Sequence, residues 1–535
     1  MKKIQLLDSF KDLKRLMIQK NSIRTSDGSF YGGKNDVWAR DRAITGDDLI
    51  NIKPKITKKA ILDLARFQGT TSNNSSGEEP GRIHTEHREI YNNDKIKPIT
   101  QFGLSLISYF IWKTGWDKYT TYFSSDTTPL FIRTTYNYSK IHPSILKKKI
   151  KKIDNSVNTI LESVIKAAKY IETTIDNDGL IRIKEHNPTG NQFRYWRDSP
   201  NSYRDEFSKL PNISEEMVIL DVQYLSIEAL CDAANLINHF DHKQAVEWYA
   251  LADQIRIATI RNLWMDDQQY FSYGMDEGDG GSDHLRQIKT IQSNAGWLLS
   301  SNFFEEIPSG DKEKYITGII TRLFSDEFLT DAGIRCRSKK YMNDRNFHSY
   351  HGSWVSWPVD SYMFSKGLRQ QGFGRLADQI DARILNTVNM AGVNYEFFII
   401  DENSKVLLNP NKPHSIIDKP LPLEMKPEKT IAWTVTATLR AKKERTKRQK
   451  AERKFNYKKP EQPIWALNLE NDILAKIKNM PFYETRQQIK DNRYPEPNLY
   501  IDQKAGLSRA FIDLIRDLNR KYINKKIKNI FHKNK

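Results

Sequence analysis

Residues 193–207 read FRYWRDSPNSYRDEF, which sets Asp198, Asp205 and Glu206 among three arginines and several aromatic rings. A carboxyl in such a setting can protonate a leaving group or activate water, provided a second acid meets it in the fold. Taken alone, the stretch reads equally well as a solvated connection with some packing rings. Similar mixtures occur in NDVWARDRAITGDDL (35–49), GEEPGRIHTEHRE (77–89), NFHSYHGSWVSWPVD (346–360) and GVNYEFFIID (392–401). The first of these puts Trp38, Arg40 and Asp41 at the start of an expected helix, and the second packs acids, arginines and two histidines between Gly and Pro. Flat rings beside carboxylates and guanidinia suit a polyhydroxylated ring, whose apolar face stacks and whose hydroxyls take bidentate hydrogen bonds.

Other chemistries lack their residues. HTEH (84–87) has neither metalloprotease spacing, and GFG (372–374) lacks the preceding strand and third glycine of a dinucleotide loop. His348 and His351 have no acid ligand at a useful spacing, the acidic run DEGDGGSD (276–283) does not follow the calcium-loop pattern, and no GKS or GKT phosphate loop occurs.

The elements that must position these loops are helical. From about residue 42 to 440 apolar residues recur at three- and four-residue steps. They predict helices over 42–51, 56–68, 103–114, 127–140, 143–175, 216–239, 242–266, 291–302, 309–324, 357–372, 374–391 and 429–447. Short turns such as NHFDH and QGFG alternate with long loops rich in Gly, Pro, Asp and Trp. That rhythm predicts about six helical hairpins in a ring, with the long loops on one side. A solenoid would show a fixed-period repeat, and none occurs.

The net charge of +18 is local rather than general. Residues 440–459 carry eleven Lys/Arg against two acids and residues 520–535 carry seven against none, which leaves the rest close to neutral. The basic character therefore belongs to a C-terminal appendage, residues 441–535, with amphipathic helices expected over 467–480 and 504–531. Two cysteines, Cys231 and Cys336, supply no disulfide framework. No apolar run is long enough to span a bilayer and the N-terminus has no uninterrupted apolar stretch, so a soluble, cytoplasmic protein without membrane partners is expected.

Taken in order, several fragments resemble one family. They are WARDRAI, FQGTTSNNSSGEEPGRIHTEHRE, DTTPLFI, YWRD, LDVQYLSIEAL, IQSNAGWLL, YHGSWVSWPVDSYMFSKGLRQQGF, YEFF and KTIAWTVTATL, spread over residues 30–440. The series resembles the catalytic domain of the amylo-alpha-1,6-glucosidase, or glycogen-debranching, family, and more broadly the clan of inverting glucosidases and trehalases. The resemblance implies an all-α fold, an (α/α)6 barrel over residues 1–440 followed by the basic helical appendage. It implies Asp198 as general acid and Glu396 as general base, with Arg40 and Asp41 gripping a terminal glucose. Trp357 and Asp360 would wall the same subsite with Trp38 and Trp196, and Glu86 and Arg88 would help build it. The substrate implied is an oligosaccharide or branched α-glucan, and no metal or organic cofactor is called for.

PNSYRDEF also resembles a trehalase segment, which makes Asp205 a rival acid. Trp196 would desolvate Asp198 and raise its pKa, while Arg197 is expected to turn away towards Asp205 or Glu206, both read as solvated. Competing readings are a trehalase-like or other α-glucosidase, a glycoside phosphorylase, a sugar epimerase using His348 and His351, and a sugar receptor whose basic tail binds nucleic acid or an anionic surface.

Overall fold

A computed structural model describes residues 9–17, 25, 36–91, 98–183, 195–211, 216–276, 285–407, 427–452 and 462–477. The expected helix over 504–531 and nearly all of the acidic run 276–283 lie outside them.

Fourteen α-helices are described: α1 (Ser9–Leu16), α2 (Ala39–Leu49), α3 (Pro54–Arg66), α4 (Pro98–Leu106), α5 (Thr127–Ser139), α6 (Ile160–Glu172) and α7 (Leu220–Ile237), then α8 (His242–Leu263), α9 (Ala295–Leu298), α10 (Ser309–Leu323), α11 (Pro358–Gln370), α12 (Gly374–Ala391), α13 (Ala432–Glu452) and α14 (Ile464–Ile477). Helices α2, α5, α7, α9, α11 and α13 each pack against the next, and α13 packs back onto α2, so they form an inner ring. Outside them lie α3, α6, α8, α10 and α12, each against the inner helix that precedes it, with α1 against α13. The fold is all-α, of the (α/α)6 type.

An inner helix is enclosed on nearly every side, so its polar groups need partners. In α2, Arg42 reaches Asp63 of α3 at 3.2 Å, Asp48 accepts from Thr436 of α13 at 2.9 Å, and Asp47 accepts from Asn137 of α5 at 2.9 Å and Lys366 of α11 at 3.2 Å. These bonds tie α2 to both its ring neighbours, α5 and α13, to α11 one further round, and to α3 outside. Helices α9 and α11 touch at backbone distance: a Cβ on Gly367 would lie 2.8 Å from the Leu299 carbonyl carbon, so only glycine fits there.

The expected helix over 143–175 is interrupted. Lys149–Lys151 and Val157–Thr159 pair as an antiparallel hairpin. Its turn is held by Asp154, whose carboxylate accepts from the Ser156 backbone and hydroxyl, with Asn155 in the left-handed region at φ 70°. α6 begins only at Ile160, where Thr159 as N-cap forms a capping box with Glu162 that satisfies the first turn. Strands elsewhere are two to four residues long and pin loops rather than form a layer.

The basic segment begins inside the ring. α13 is buried from Ala432 to Leu439 and then runs outward, with Lys442, Lys443, Lys447 and Lys450 exposed. α14 docks against α10 and α12. Its buried Glu470 accepts from the Arg375 backbone N–H and Nε, both at 2.9 Å, and so caps the start of α12 from another helix. Glu470→Ala should lower the stability of the full chain by about 1–2 kcal/mol. Denaturant unfolding of the single and Arg375→Ala double variants checks it, and independent, fully additive losses would refute the pairing.

Candidate active site

The stretch from Tyr195 to Ser199 is held by alternating contacts. The Tyr195 hydroxyl donates to Tyr273 at 2.5 Å; the Trp196 indole donates to Asp221 at 3.2 Å and stacks on Trp297 with centroids 5.1 Å apart. Arg197 turns inward, against the sequence expectation. It is fully buried, lies over the Trp196 ring, and donates to the Cys336 carbonyl (2.9 Å), Ser293 (2.6 Å), Gln292 (3.3 Å) and Asp360 (3.2 Å). The reason is that Asp360, at the start of α11 beneath the loop, offers Arg197 a buried carboxylate, whereas Asp205 is taken by Arg286 and Glu206 by the Lys289 N–H. Burial works against the Arg197 charge, but Asp360, Cys336, Tyr195 and Asp221 together outweigh it and raise the guanidinium above its ordinary value.

With its neighbours anchored, Asp198 projects into an open cavity and its side chain remains 31% exposed. The walls are Trp38, Arg40, Asp41, Thr85, Ser124, Trp196, Tyr350, Trp357, Glu396, Ile431 and Trp433. Several of these sit at or just before the N-terminal ends of α2, α5, α11 and α13, where helix dipoles favour negative charge. Glu396 is brought in by a short strand pair, Val355–Ser356 with Phe398–Ile399, which also delivers Trp357. Its backbone N–H donates to the Glu428 carbonyl at 2.9 Å and the Glu428 N–H donates back to its carboxylate at 3.1 Å. Next to it, Asn394 donates to Asp12 of α1 at 2.7 Å and accepts from Thr438 of α13 at 3.2 Å.

The cavity is crowded with acids around one cation. Arg40 grips Asp126 at 2.6 Å through Nε, bonds Ser124 at 3.0 Å and lies 3.6 Å from Asp198. Tyr350 donates to Asp198 at 2.9 Å. Burial raises the Asp198 pKa, with Arg40 and the Tyr350 bond opposing it. Burial also lifts Glu396 well above the ordinary carboxylate range; the Glu428 N–H opposes this, and the charges of Glu428, Asp198 and Asp41 add to it. Asp41 is pushed up to about 7, again by burial, against the pull of Arg40. Three carboxyls facing one cavity resist ionising together.

Not every expected residue reaches the cavity. Asp360 is wholly buried, accepting from Trp297 at 2.6 Å and Ser293 at 2.5 Å as well as from Arg197, so it underpins the wall instead of lining it. Glu86 and Arg88 stand behind Trp38: Arg88 lies 4.4 Å over the Trp38 ring and donates to Glu86 at 2.9 Å. Asp205 is buried rather than solvated, pairs with Arg286 at 2.8 Å and caps the Phe207 and Lys209 N–H groups, away from the cavity. Glu206, half-buried, accepts from the Lys289 N–H. His348 bonds the Met342 carbonyl while His351 stacks on Trp357, so the two histidines do not act as a pair. Sequence reasoning passed over Asp126, Tyr350 and Trp433 as site residues, although DTTPLFI, HSYHGSW and KTIAWTV all stood among the quoted fragments. Among the described residues no group of three or more His, Cys, Asp or Glu side chains could hold a metal ion.

No family model matches the chain, and no curated protein matches it. Solved structures do. A GH63 mannosylglycerate hydrolase from Thermus thermophilus, in complex with glucose, aligns over 81% of this chain and 98% of its own at 12% identity and a TM-score of 0.49. A rhamnosidase from Klebsiella oxytoca with rhamnose bound aligns over 81% of this chain at 13% identity and a TM-score of 0.45; the chain spans only 62% of that protein. A structure titled "Glycosidase Wild Type" gives 82%, 95%, 12% and 0.47. These likenesses are remote, and none of the three is described as a debranching enzyme.

Asp41 permits a test of the site's electrostatics. A carboxyl raised to about 7 binds its proton more tightly folded than unfolded, so stability is lost as pH rises from about 4 through 7. Asp41→Asn should therefore stabilise the protein at pH 8 by up to about 4 kcal/mol, with the gain vanishing below pH 4. Urea unfolding at both pH values checks this; an equal effect at each would contradict it.

Proposed function

We propose that the chain is an inverting glycoside hydrolase that cleaves terminal α-glucosidic bonds, with Asp198 as general acid and Glu396 as general base. The observation that carries this reading is the arrival of two carboxyls, from distant parts of the chain, in one cavity walled by four tryptophans and a tyrosine. Tryptophan faces suit the apolar face of a pyranose, and Arg40 and Asp41 suit its hydroxyls.

The chemistry balances on these two groups alone. Protonated Asp198 gives its proton to the glycosidic oxygen as the bond to the anomeric carbon breaks. Ionised Glu396 takes a proton from a water whose oxygen attacks that carbon from the opposite face. Such a displacement needs room for the water, with the carboxyls roughly 6.5–9.5 Å apart. The raised pKa of Asp198 suits an acid that must stay protonated. The raised pKa of Glu396 sets the acidic limb of the rate profile, so activity should climb only well above the ordinary carboxylate range.

One observation favours the exchanged assignment. Arg40 and Tyr350 both stabilise ionised Asp198, whereas Glu396 is surrounded by acids. Leaving groups separate the two. An acid is dispensable for a glycosyl fluoride, which departs without a proton, and a base is not.

The debranching resemblance points to α-1,6 branches of glycogen-like substrates. Isomaltose, maltose, trehalose, branched α-glucan and mannosylglycerate make up the panel. Asp198→Asn and Glu396→Gln should each cut turnover by about 10³-fold or more. Asp198→Asn should regain much of its rate on the fluoride while Glu396→Gln does not; the reverse would exchange the roles. Full activity in either variant would remove that residue from the chemistry.

A further inference from the structure

Asp198 has two carboxyl oxygens, and their surroundings differ. Oδ1 accepts from the Tyr350 hydroxyl at 2.9 Å. Oδ2 faces Arg40 Nη1 at 3.6 Å, an ion-pair distance too long for a hydrogen bond. Arg40 is held back from closing that gap: its Nε and Nη2 donate to the Asp126 carboxylate at 2.6 and 3.2 Å, and Nη2 also donates to Ser124 at 3.0 Å. Among the described residues, Tyr350 is therefore the one side chain that hydrogen-bonds Asp198.

Tyr350 is itself placed from both sides of the cavity. Its carbonyl accepts from the Trp357 indole at 2.6 Å, and its ring stacks on Phe397, the neighbour of Glu396, with centroids 6.4 Å apart. The adjoining His351 is wholly buried, stacks on Trp357 at 4.9 Å and meets Trp196 edge-on at 5.4 Å. One aromatic wall thus joins the loop of Asp198, through Trp196, to the segment of Glu396, through Phe397. The Tyr350 hydroxyl is the point at which that wall touches a carboxyl.

We infer that Tyr350 is the positioning residue of the acid: its hydroxyl fixes Oδ1 and leaves Oδ2 as the oxygen that carries the proton to the glycosidic oxygen. This rests on the assignment of Asp198 as general acid. In a protonated carboxyl the carbonyl oxygen is the better acceptor, so a donor fixed on Oδ1 places the acid's own proton on Oδ2. As the Oδ2–H bond breaks, its electron pair stays on the carboxyl and the proton forms the new bond to the glycosidic oxygen. The charge that develops is shared with Oδ1, and a hydrogen bond to an ionised acceptor is roughly twice as strong as a neutral one. An interaction that grows towards the transition state raises kcat rather than lowering KM. The same bond opposes the rise that burial gives the Asp198 pKa. The other groups facing this carboxyl are Arg40 and Asp41 from α2, Asp126 at the start of α5, and Glu396. Burial holds His351, beside Tyr350, well below the usual imidazole range.

Tyr350→Phe removes the hydroxyl and keeps the ring on Phe397. On the preferred α-glucosidic substrate it should lower kcat about tenfold with little change in KM, and move the alkaline limb of the rate profile, set by the proton on Asp198, to higher pH. The loss on the glycosyl fluoride should be several-fold smaller, since that leaving group takes no proton. Urea unfolding reads the same bond without turnover. A carboxyl with a raised pKa contributes stability at low pH that is lost as pH rises through that pKa, and removing the Tyr350 bond raises it further. Destabilisation by Tyr350→Phe should therefore be larger at pH 8 than at pH 4, and the difference should vanish on an Asp198→Asn background. Three outcomes overturn the inference: an equal loss on fluoride and glycoside, which moves the bond to the base; an unshifted alkaline limb; or an effect on stability independent of pH. Absence of turnover on every substrate, with the unfolding difference intact, would sink the hydrolase reading and leave Tyr350 governing the Asp198 proton.

Discussion

Arg197 and Asp360 form an ion pair with no exposed atoms on either side, and the loop that carries Asp198 hangs from it. Burying two charges is costly, and removing one partner of such a pair typically costs about 3–5 kcal/mol. Here the cost is offset by further hydrogen bonds: Ser293, Trp297, Gln292 and the Cys336 carbonyl all bond the pair, although the Arg197 Nε has no hydrogen-bond partner among the described residues. Because Arg197 is locked inward, the next residue in an extended chain points the other way, into the cavity. The Arg197 guanidinium also stacks on Trp196, which stacks on Trp297, so charge and ring packing fix the same loop from two directions.

A second constraint is the supply of negative charge. Asp41, Asp198 and Glu396 face one another with Arg40 as the nearest cation, and Arg40 is already committed to Asp126. Folding therefore leaves the site holding protons that free carboxylates would release. That is unfavourable for stability at neutral pH and favourable for acid catalysis there, since a carboxylic acid keeps its proton only where ionisation is penalised. The helix N-termini around the cavity temper the penalty without removing it.

The ring was legible in the sequence because helical periodicity and short turns repeat along the chain, and the closing contact of α13 on α2 follows from that count. The residues themselves placed Trp38, Arg40, Asp41, Trp196, Asp198, Trp357 and Glu396 in separate loops or helix starts, and only the resemblance in fragment order implied that they meet around one cavity. Side-chain direction was not legible. Nothing local distinguishes Arg197, which turns inward, from Arg204, and only burial under Arg197 separates Asp360 from a residue of the wall. Asp126 read as a helix start, and its bond to Arg40 joins residues far apart in the chain. The break at Asp154–Ser156 was written locally, as a turn followed by a capping box, and apolar spacing on both sides masked it.

The apolar run at 98–116 reads as an ordinary helix until the burial of Ser105 and Ser108, beside exposed Ile99, Phe102, Tyr109 and Phe110, is known. The account's central claim concerns the cavity: two carboxyls on opposite sides of a sugar, with water between. Proton NMR of the first-formed product from the preferred α-glucosidic substrate measures that geometry through its consequence. The account predicts β-glucose appearing first, with the α anomer growing in only by slower mutarotation towards equilibrium. Initial release of α-glucose would mean a covalent intermediate and a carboxyl pair too close to admit water, which contradicts it.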